Sequence, residues 1–380
     1  MNEESKKTSC CSGKPSPKPC CQGKKEEPEK KLKWGIFGEY VTGRIETNEG
    51  PVPRVAAQLN RSDKWEGMKV RMNINRMNYS VTPGIYAVGN PGKDSIVLVT
   101  SNYKLTFDSL RKELNNLDAW ILVLDTRGIN VWCAAGKGTF GTDELVNRIE
   151  ETGLKNIVSH RRLIVPQLGA TGISAHEVRE RSGFTVLYGP VRASDIPAYL
   201  QANMKTTPEM RKVTFNLIDR LTVAPVEISQ GLKIMLIICF VMFLLSGIST
   251  AGYLISWPHS IFPVINVIIA YFCGTLIAPA LLPWLPGRSF SLKGAWAGVI
   301  GFACLYILGL TGNEVLRSIG WLLLIIGFSS FLTLNFTGAS TYTSLSGVKR
   351  EMRFAIPTQI AVSAAGALLW ISGIFFHITL

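Results

Sequence analysis

The sequence predicts an α/β Rossmann-like domain followed by an all-α five-helix transmembrane domain. Three observations carry that prediction. Short apolar runs alternate with amphipathic stretches across residues 36–225, the pattern of a largely parallel sheet with crossover helices. Five apolar stretches long enough to cross a bilayer follow within 226–380. Residues 1–35 are Lys, Glu, Pro, Ser, Gly and Cys with almost no apolar side chains, so they read as a disordered tail.

In the α/β domain, strands are expected at Gly84–Val88, Ile96–Thr100, Trp120–Leu124, Leu163–Val165 and Phe184–Tyr188. Helices are expected near Phe107–Leu114, Asp143–Glu151 and Ala175–Arg181. Each strand is followed by a polar or Gly-rich turn, starting in order at Gly89, Thr100, Asp125, Gln167 and Gly189. These turns should gather on one sheet edge, where open α/β sheets hold cofactors. Thr207 and Pro208 suit the N-cap and first position of a connector helix running to about Leu221.

The spans run approximately Ile234–Trp257, Phe262–Leu282, Ala295–Leu310, Ile319–Phe336 and Ile356–Ile378. Arg220, Lys233, Arg288, Lys293, Lys349, Arg350 and Arg353 flank alternate ends, while the opposite loops carry only Arg317. That asymmetry places the α/β domain and the N-terminus in the cytoplasm, on a multi-pass protein of the cytoplasmic (inner) membrane. Gly294-x-x-x-Gly298 and the run from Gly247 to Gly252 should allow close helix packing. No charge falls near a span centre, which favours an anchor over an ion or charged-substrate path.

The formal net charge is +13, but many cations lie in the tail or beside the spans, where anionic lipid attracts them. No aromatic and basic stripe accompanies them, so nucleic acid is not an expected partner. The N-terminus lacks an apolar signal region, and a reducing cytoplasm rather than a disulfide framework is expected. Cys239, Cys273 and Cys304 fall within apolar spans, where free thiols act as small hydrophobes.

The segment Asn130-Val131-Trp132-Cys133-Ala134-Ala135-Gly136-Lys137 puts one thiol among small residues, just after an apolar strand. Ala134, Ala135 and Gly136 add little bulk, so a large flat group can approach the backbone. A soft thiolate beside a bare surface suits an axial metal ligand, although an isolated intracellular cysteine is more often a buried, inert one. Gly136-Lys-Gly-Thr-Phe-Gly141 fits the dinucleotide fingerprint literally, but the strand ends well upstream. Arg161 and Arg162 stand where a ribose-binding acid belongs. A phosphate-binding loop fails too, since Gly138 replaces the hydroxyl residue required after Lys137.

The octapeptide 130–137 resembles the cap-helix signature of the HgcA family, the corrinoid proteins of mercury methylation. The runs Ser95–Thr106, Asp125–Gly128, His160–Gly169 and Tyr188–Ala193 resemble the related large subunit of the corrinoid iron–sulfur protein. The resemblance covers roughly residues 50–200 and implies a corrinoid-binding α/β domain. It implies a cobalamin-type corrinoid, with Cys133 as cobalt ligand and catalytic residue. Thr100, Thr106, Asn130, Val131, Trp132, Cys133, Ala134, Gly189 and Ala193 are the implied cofactor contacts.

The activity so implied is a corrinoid-dependent methyltransferase passing methyl from methyl-Co(III) to Hg(II), yielding methylmercury. A strongly donating sulfur opposite the methyl group supports departure of carbon with its electron pair. The chain has no Cys-x-x-Cys-x-x-Cys run, so electrons must come from outside. The resemblance supplies a ferredoxin-like iron–sulfur partner, HgcB, and a methyltransferase delivering methyl from methyltetrahydrofolate. Cys10, Cys11, Cys20 and Cys21 form two vicinal pairs that offer soft donors for Hg(II), or are plain free or lipidated thiols. Two alternatives stand beside this reading: a corrinoid methyl carrier in one-carbon (acetyl-CoA pathway) metabolism, and a non-enzymatic membrane metal-binding protein.

Overall fold

The computed structural model describes residues 38–249, 252–312, 314–339 and 345–376. The tail, with Cys10, Cys11, Cys20 and Cys21, lies outside the described residues.

The chain enters through a hairpin, β1 (Val41–Thr47) and β2 (Gly50–Val55), and then α1 (Arg61–Arg71). There follow β3 (Gly84–Val88), β4 (Ile96–Ser101), α2 (Lys104–Arg111), β5 (Ala119–Leu124) and α3 (Val131–Lys137). The domain continues through α4 (Thr142–Glu151), α5 (Leu154–Ile157), β6 (Arg162–Val165), α6 (Ala175–Ser182), β7 (Thr185–Tyr188) and α7 (Ile196–Gln201). All five expected strands and all three expected helices form within a few residues of their expected limits.

The seven strands make one sheet in the order β1-β2-β3-β5-β4-β6-β7. Strands β5, β4, β6 and β7 run parallel, as crossover helices require. Strand β3, however, pairs antiparallel to β5. The sheet is therefore mixed, and the turn after β3 leaves at the opposite end from the others. The Asn90 N–H donates to the Asp118 carboxylate at 2.7 Å, beside the start of β5. Of the expected platform, the Gly89 turn is thus excluded by strand direction.

The central strand Ala-Trp-Ile-Leu-Val-Leu is buried along its whole length, with one core on each sheet face. Trp120, Leu122 and Leu124 pack with Phe140 and Ile149 on one side. Ile121 and Val123 pack with Phe107 and Tyr199 on the other. At roughly 1.5–3 kcal/mol per fully buried large apolar side chain, these two layers dominate the domain's stability.

The hairpin β1–β2 and helix α1 have weak sequence signals. Pro51 and Pro53 demote β2 as a strand, and α1 buries only Asp63, Gly67 and Val70. What holds α1 is charge. Asp63 pairs with Lys104 at 2.7 Å and Arg111 at 2.6 Å, and Asp108 pairs with the same two cations at 2.9 and 2.8 Å. Burial by itself would raise the Asp63 carboxyl, but hydrogen bonds from Lys104 and Arg111 outweigh it and hold the group below its ordinary range.

The helical domain comprises α8 (Leu217–Leu245), a two-rung hairpin of β8 (Ile248–Ser249) and β9 (Gly252–Tyr253), and α9 (Trp257–Phe272). A π turn, Cys273–Ile277, joins α9 to α10 (Ala278–Leu281). Then come α11 (Phe290–Ile307), α12 (Val315–Asn335) and α13 (Leu345–Phe375). Five helices among the described residues are long and apolar enough to cross a membrane.

Three expectations change here. Only the turn Glu209–Arg211 follows Pro208, so no connector helix starts at Thr207. The helix begins at Leu217 instead, because Asn216 and Asp219 form a reciprocal capping box. At the far end, the first span stops at Leu245 rather than Trp257. Of the run from Gly247 to Gly252, the described residues pair β8 with β9: Gly252 has φ +121°, and a Cβ on Gly247 would meet Tyr253 and Ile255 beside that hairpin rather than a second helix. The Gly294/Gly298 pair does pack: a Cβ on Gly294 would meet the Ser329 carbonyl at 2.7 Å, and one on Gly298 the Ile325 carbonyl at 3.0 Å.

Candidate functional site

The turns after β4, β5, β6 and β7 converge at one sheet end, around a groove of about 370 Å³. Parallel strand direction brings them together. Thr100, Thr106, Asn130, Val131, Trp132, Gly189 and Ala193 all line this groove. Leu98, Ile164, Pro166, Leu168 and Pro190 complete an apolar floor. No charged side chain is among the walls.

Helix α3 forms one wall, and its placement follows from its ends. The Asn130 carboxamide oxygen accepts the Cys133 N–H at 2.9 Å, and Gly138 at φ +81° stops the helix. Val131, Ala134 and Ala135 turn into the core, while Trp132, Cys133, Gly136 and Lys137 face out. Ala134 and Ala135 thus do serve as core packing, through their small size. A Cβ on Gly172 would lie 3.1 Å from Ala135 Cα, so the 170–172 turn rests directly on the helix backbone.

Cys133 is exposed, directly after the groove-lining residues 130–132. Neither Cys133 nor Ala134 is itself a groove wall. A Cβ on Gly136, one turn on from the thiol, would have nothing within 4 Å. The outer face of α3 is therefore open around the sulfur. Trp132 stands beside it, 44% exposed. An exposed soft donor, a bare neighbouring backbone and a wide apolar groove edged with hydroxyls fit a large flat macrocycle.

The literal dinucleotide fingerprint dissolves in the structure. Gly136 lies within α3, Gly138 ends it, and Gly141 opens α4. None follows a strand directly, as phosphate binding at a βα turn requires.

Two positions that sequence reasoning missed hold the wall in place. The Asn102 side-chain oxygen accepts from Thr126 N–H at 3.1 Å, Thr126 Oγ1 at 2.8 Å and Gly128 N–H at 2.9 Å. Its amide donates to the Asp125 carboxylate at 3.1 Å. Asn102 therefore ties the end of β4 to the loop that launches α3, with Thr126 fully buried between them. The only available signal was an Asn at a strand's C-terminal end. On the other side, the groove turn is tied toward the long apolar helices. The Val191 N–H donates to the Met210 carbonyl at 2.8 Å, and Arg192 pairs with Asp219 of α8 at 2.5 Å.

Comparison with known proteins falls on this domain. Residues 63–200 match the CdhD family, described as CO dehydrogenase/acetyl-CoA synthase delta subunit. The acetyl-CoA decarbonylase/synthase complex subunit gamma of Methanocaldococcus jannaschii is 33% identical over 150 residues, covering 37% of this chain and 30% of that protein. Its counterpart in Methanopyrus kandleri is 34% identical over 123 residues, covering 32% of this chain and 26% of that protein. That of Methanothermobacter thermautotrophicus is 31% identical over 177 residues, covering 42% and 38%. The chain spans no more than 38% of the length of these relatives. Every wall of the groove lies inside 63–200 and α8–α13 lie outside it, so the α/β domain is similar to subunits of acetyl-CoA decarbonylase/synthase complexes.

Proposed function

We propose that this chain is a membrane-anchored corrinoid methyltransferase that delivers a methyl group to Hg(II). The observation that carries the reading is the exposed Cys133 thiol on α3, beside the groove and next to the open space at Gly136. A methylated corrinoid, when bound, supplies the methyl group. Thr100, Thr106, Asn130, Val131, Trp132, Gly189 and Ala193 would hold it along the groove. Cys133 would be its sulfur donor, with Ala134 holding α3 to the core behind the thiol.

Each residue's part follows from its position. Cys133 Sγ must lose its proton to serve as a ligand, and its exposure gives that proton a route to water. Asn130 fixes the helix turn that carries the sulfur, and Trp132 covers the adjacent rim. The apolar floor offers the ring of such a group a surface to cover, beside the exposed sulfur. Hg(II) is an electrophile and accepts methyl with its bonding pair. Electrons to restore the site come from a ferredoxin-like iron–sulfur partner, HgcB in the resembling family, and methyl from a methyltetrahydrofolate-dependent methyltransferase. The lysines and arginines at the helix ends support a cytoplasmic α/β domain.

The acceptor rests on the octapeptide Asn130–Lys137. The names of the relatives favour a second reading, a methyl carrier in acetyl-CoA metabolism, for which Hg(II) is incidental. Anaerobic purification of the full chain tests both. Bound cobalt and a sulfur-ligated corrinoid spectrum are expected, together with methylmercury formed from Hg(II). Cys133→Ala and Cys133→Thr should abolish that product. Full activity in Cys133→Ala would overturn the role of the thiol. Cobalt without Hg(II) turnover would favour the carrier, and protein purified without cobalt would leave only a metal-binding role.

A further inference from the structure

The helical domain carries a second large groove, of about 1220 Å³, between the α10–α11 loop, α11, α12 and the N-terminal half of α13. Its chemistry changes along its length. One end presents Arg288, Lys293 and Arg350, together with Ser289 and Glu351. Away from these the walls are Ile326, Ala355 and Val362, and the groove passes into a smaller apolar cavity of about 330 Å³ that shares Gly327 and Gln359.

The cationic end lies on the side of the α/β domain. Phe290 and Leu282 pack in one cluster with Phe215, which immediately precedes α8. Three cations meet one carboxylate there, and that carboxylate is engaged: Glu351 accepts the Ser291 N–H at 2.7 Å. The Lys293 ammonium donates to the Leu282 carbonyl. Arg288 and Arg350 are exposed and make no ion pair among the described residues. In the wall between the two ends, buried Gln359 donates to Ser330 Oγ at 2.8 Å, while its carbonyl oxygen has no hydrogen-bond partner.

We propose that this groove is a binding site for one anionic phospholipid, its phosphate held by Arg288 and Arg350 and its acyl chains lying along α12 and α13. Cations at one end and apolar wall at the other match the polarity of a lipid, and a free phosphate would leave the apolar length uncovered. Arginine forks recognise phosphate oxygens in pairs.

The test uses the full chain, delipidated in detergent and placed in nanodiscs of phosphatidylcholine alone or with phosphatidylglycerol. Retained lipid is read by native mass spectrometry and stability by thermal unfolding. Wild-type protein should retain phosphatidylglycerol and melt higher in its presence. The double variant Arg288→Gln, Arg350→Gln should bind it about tenfold more weakly or worse, yet match wild type in phosphatidylcholine. Thr358→Trp fills the groove from an exposed position with all charges intact, and should displace the lipid too; it decides the matter if the double variant misfolds. Equal retention of both lipids by wild type, undiminished retention by the folded variants, or equal stabilisation by inorganic phosphate alone would overturn the proposal.

Discussion

The α/β and helical domains bury polar groups in opposite ways. The first closes charges into a ring: Lys104, Arg111, Asp63 and Asp108, each paired twice and each under 8% exposed. The second buries hydroxyls and amides against backbone carbonyls. Ser329 Oγ donates to the Gly294 carbonyl at 2.7 Å, and Thr333 Oγ1 to the Gly274 carbonyl at 3.1 Å. Glycines there let helices touch; a Cβ on Gly320 would lie 2.8 Å from Trp370 N. The difference suits the two regions' surfaces, since the five long helices are apolar enough to cross a membrane. A water-facing fold can close a charge network at its edge, whereas within lipid an unpaired charge is far costlier than a hydroxyl that bonds locally.

Breaking the ring should have the larger effect. Asp63→Ala leaves Lys104 and Arg111 buried with half their partners, and should cost about 3–5 kcal/mol. Chemical denaturation of the full chain, followed by a probe in the α/β domain, measures it. Double substitution of Asp63 with Lys104 by apolar residues should recover part of that loss. On the helical side, Gly320→Val forces α12 away from α13, at a cost of about 1–3 kcal/mol. Its thermal midpoint in detergent should fall while the α/β domain stays unchanged.

pH separates the two domains further. The Asp63 carboxyl is held below its ordinary 3.8, so its contribution is present above that value and lost as pH falls through the folded one. Lys104 is moved the other way: burial alone would lower it, but Asp108 and Asp63 together raise it above 10.5. Tyr79, pushed up to about 12 chiefly by burial, likewise favours its protonated form in the fold. Their contributions are complete below about pH 10 and lost as pH rises beyond it. The α/β domain should therefore melt first at both extremes, as read by domain-specific fluorescence. Simultaneous loss of both domains would remove the contrast.

Apolar runs made the strands β3–β7 and the five long apolar helices legible, because burial on both sheet faces, or an apolar stretch long enough to cross a bilayer, leaves a continuous signal. The groove turns were legible as glycine and polar breaks, but their direction was not. That β3 runs against β5 is decided by pairing across the sheet, so the Gly89 turn could not be assigned an edge in advance. Helix α1 escaped notice because its buried face is ionic, with partners 41 and 48 residues away. Small residues were the most ambiguous signal. In Gly294 and Gly298 they mean contact; around Cys133 they mean contact for Ala134 and Ala135 but open space for Gly136.

That last contrast gives the finest prediction. Gly136 sits inside α3 without a positive φ, and a Cβ there meets nothing within 4 Å. Gly136→Ala should therefore stabilise the domain slightly, by about 0.5–1 kcal/mol, through helix propensity alone. The same methyl group would occupy the open space one turn from the Cys133 sulfur. If that space admits a macrocycle, the variant should fold better and yet bind corrinoid more weakly, with a shifted absorption spectrum. A steric bulk series of Ala, Val and Leu at 136 should deepen the binding defect while stability changes little. Unchanged corrinoid retention across that series would mean that the open face of α3 has no part in holding the group.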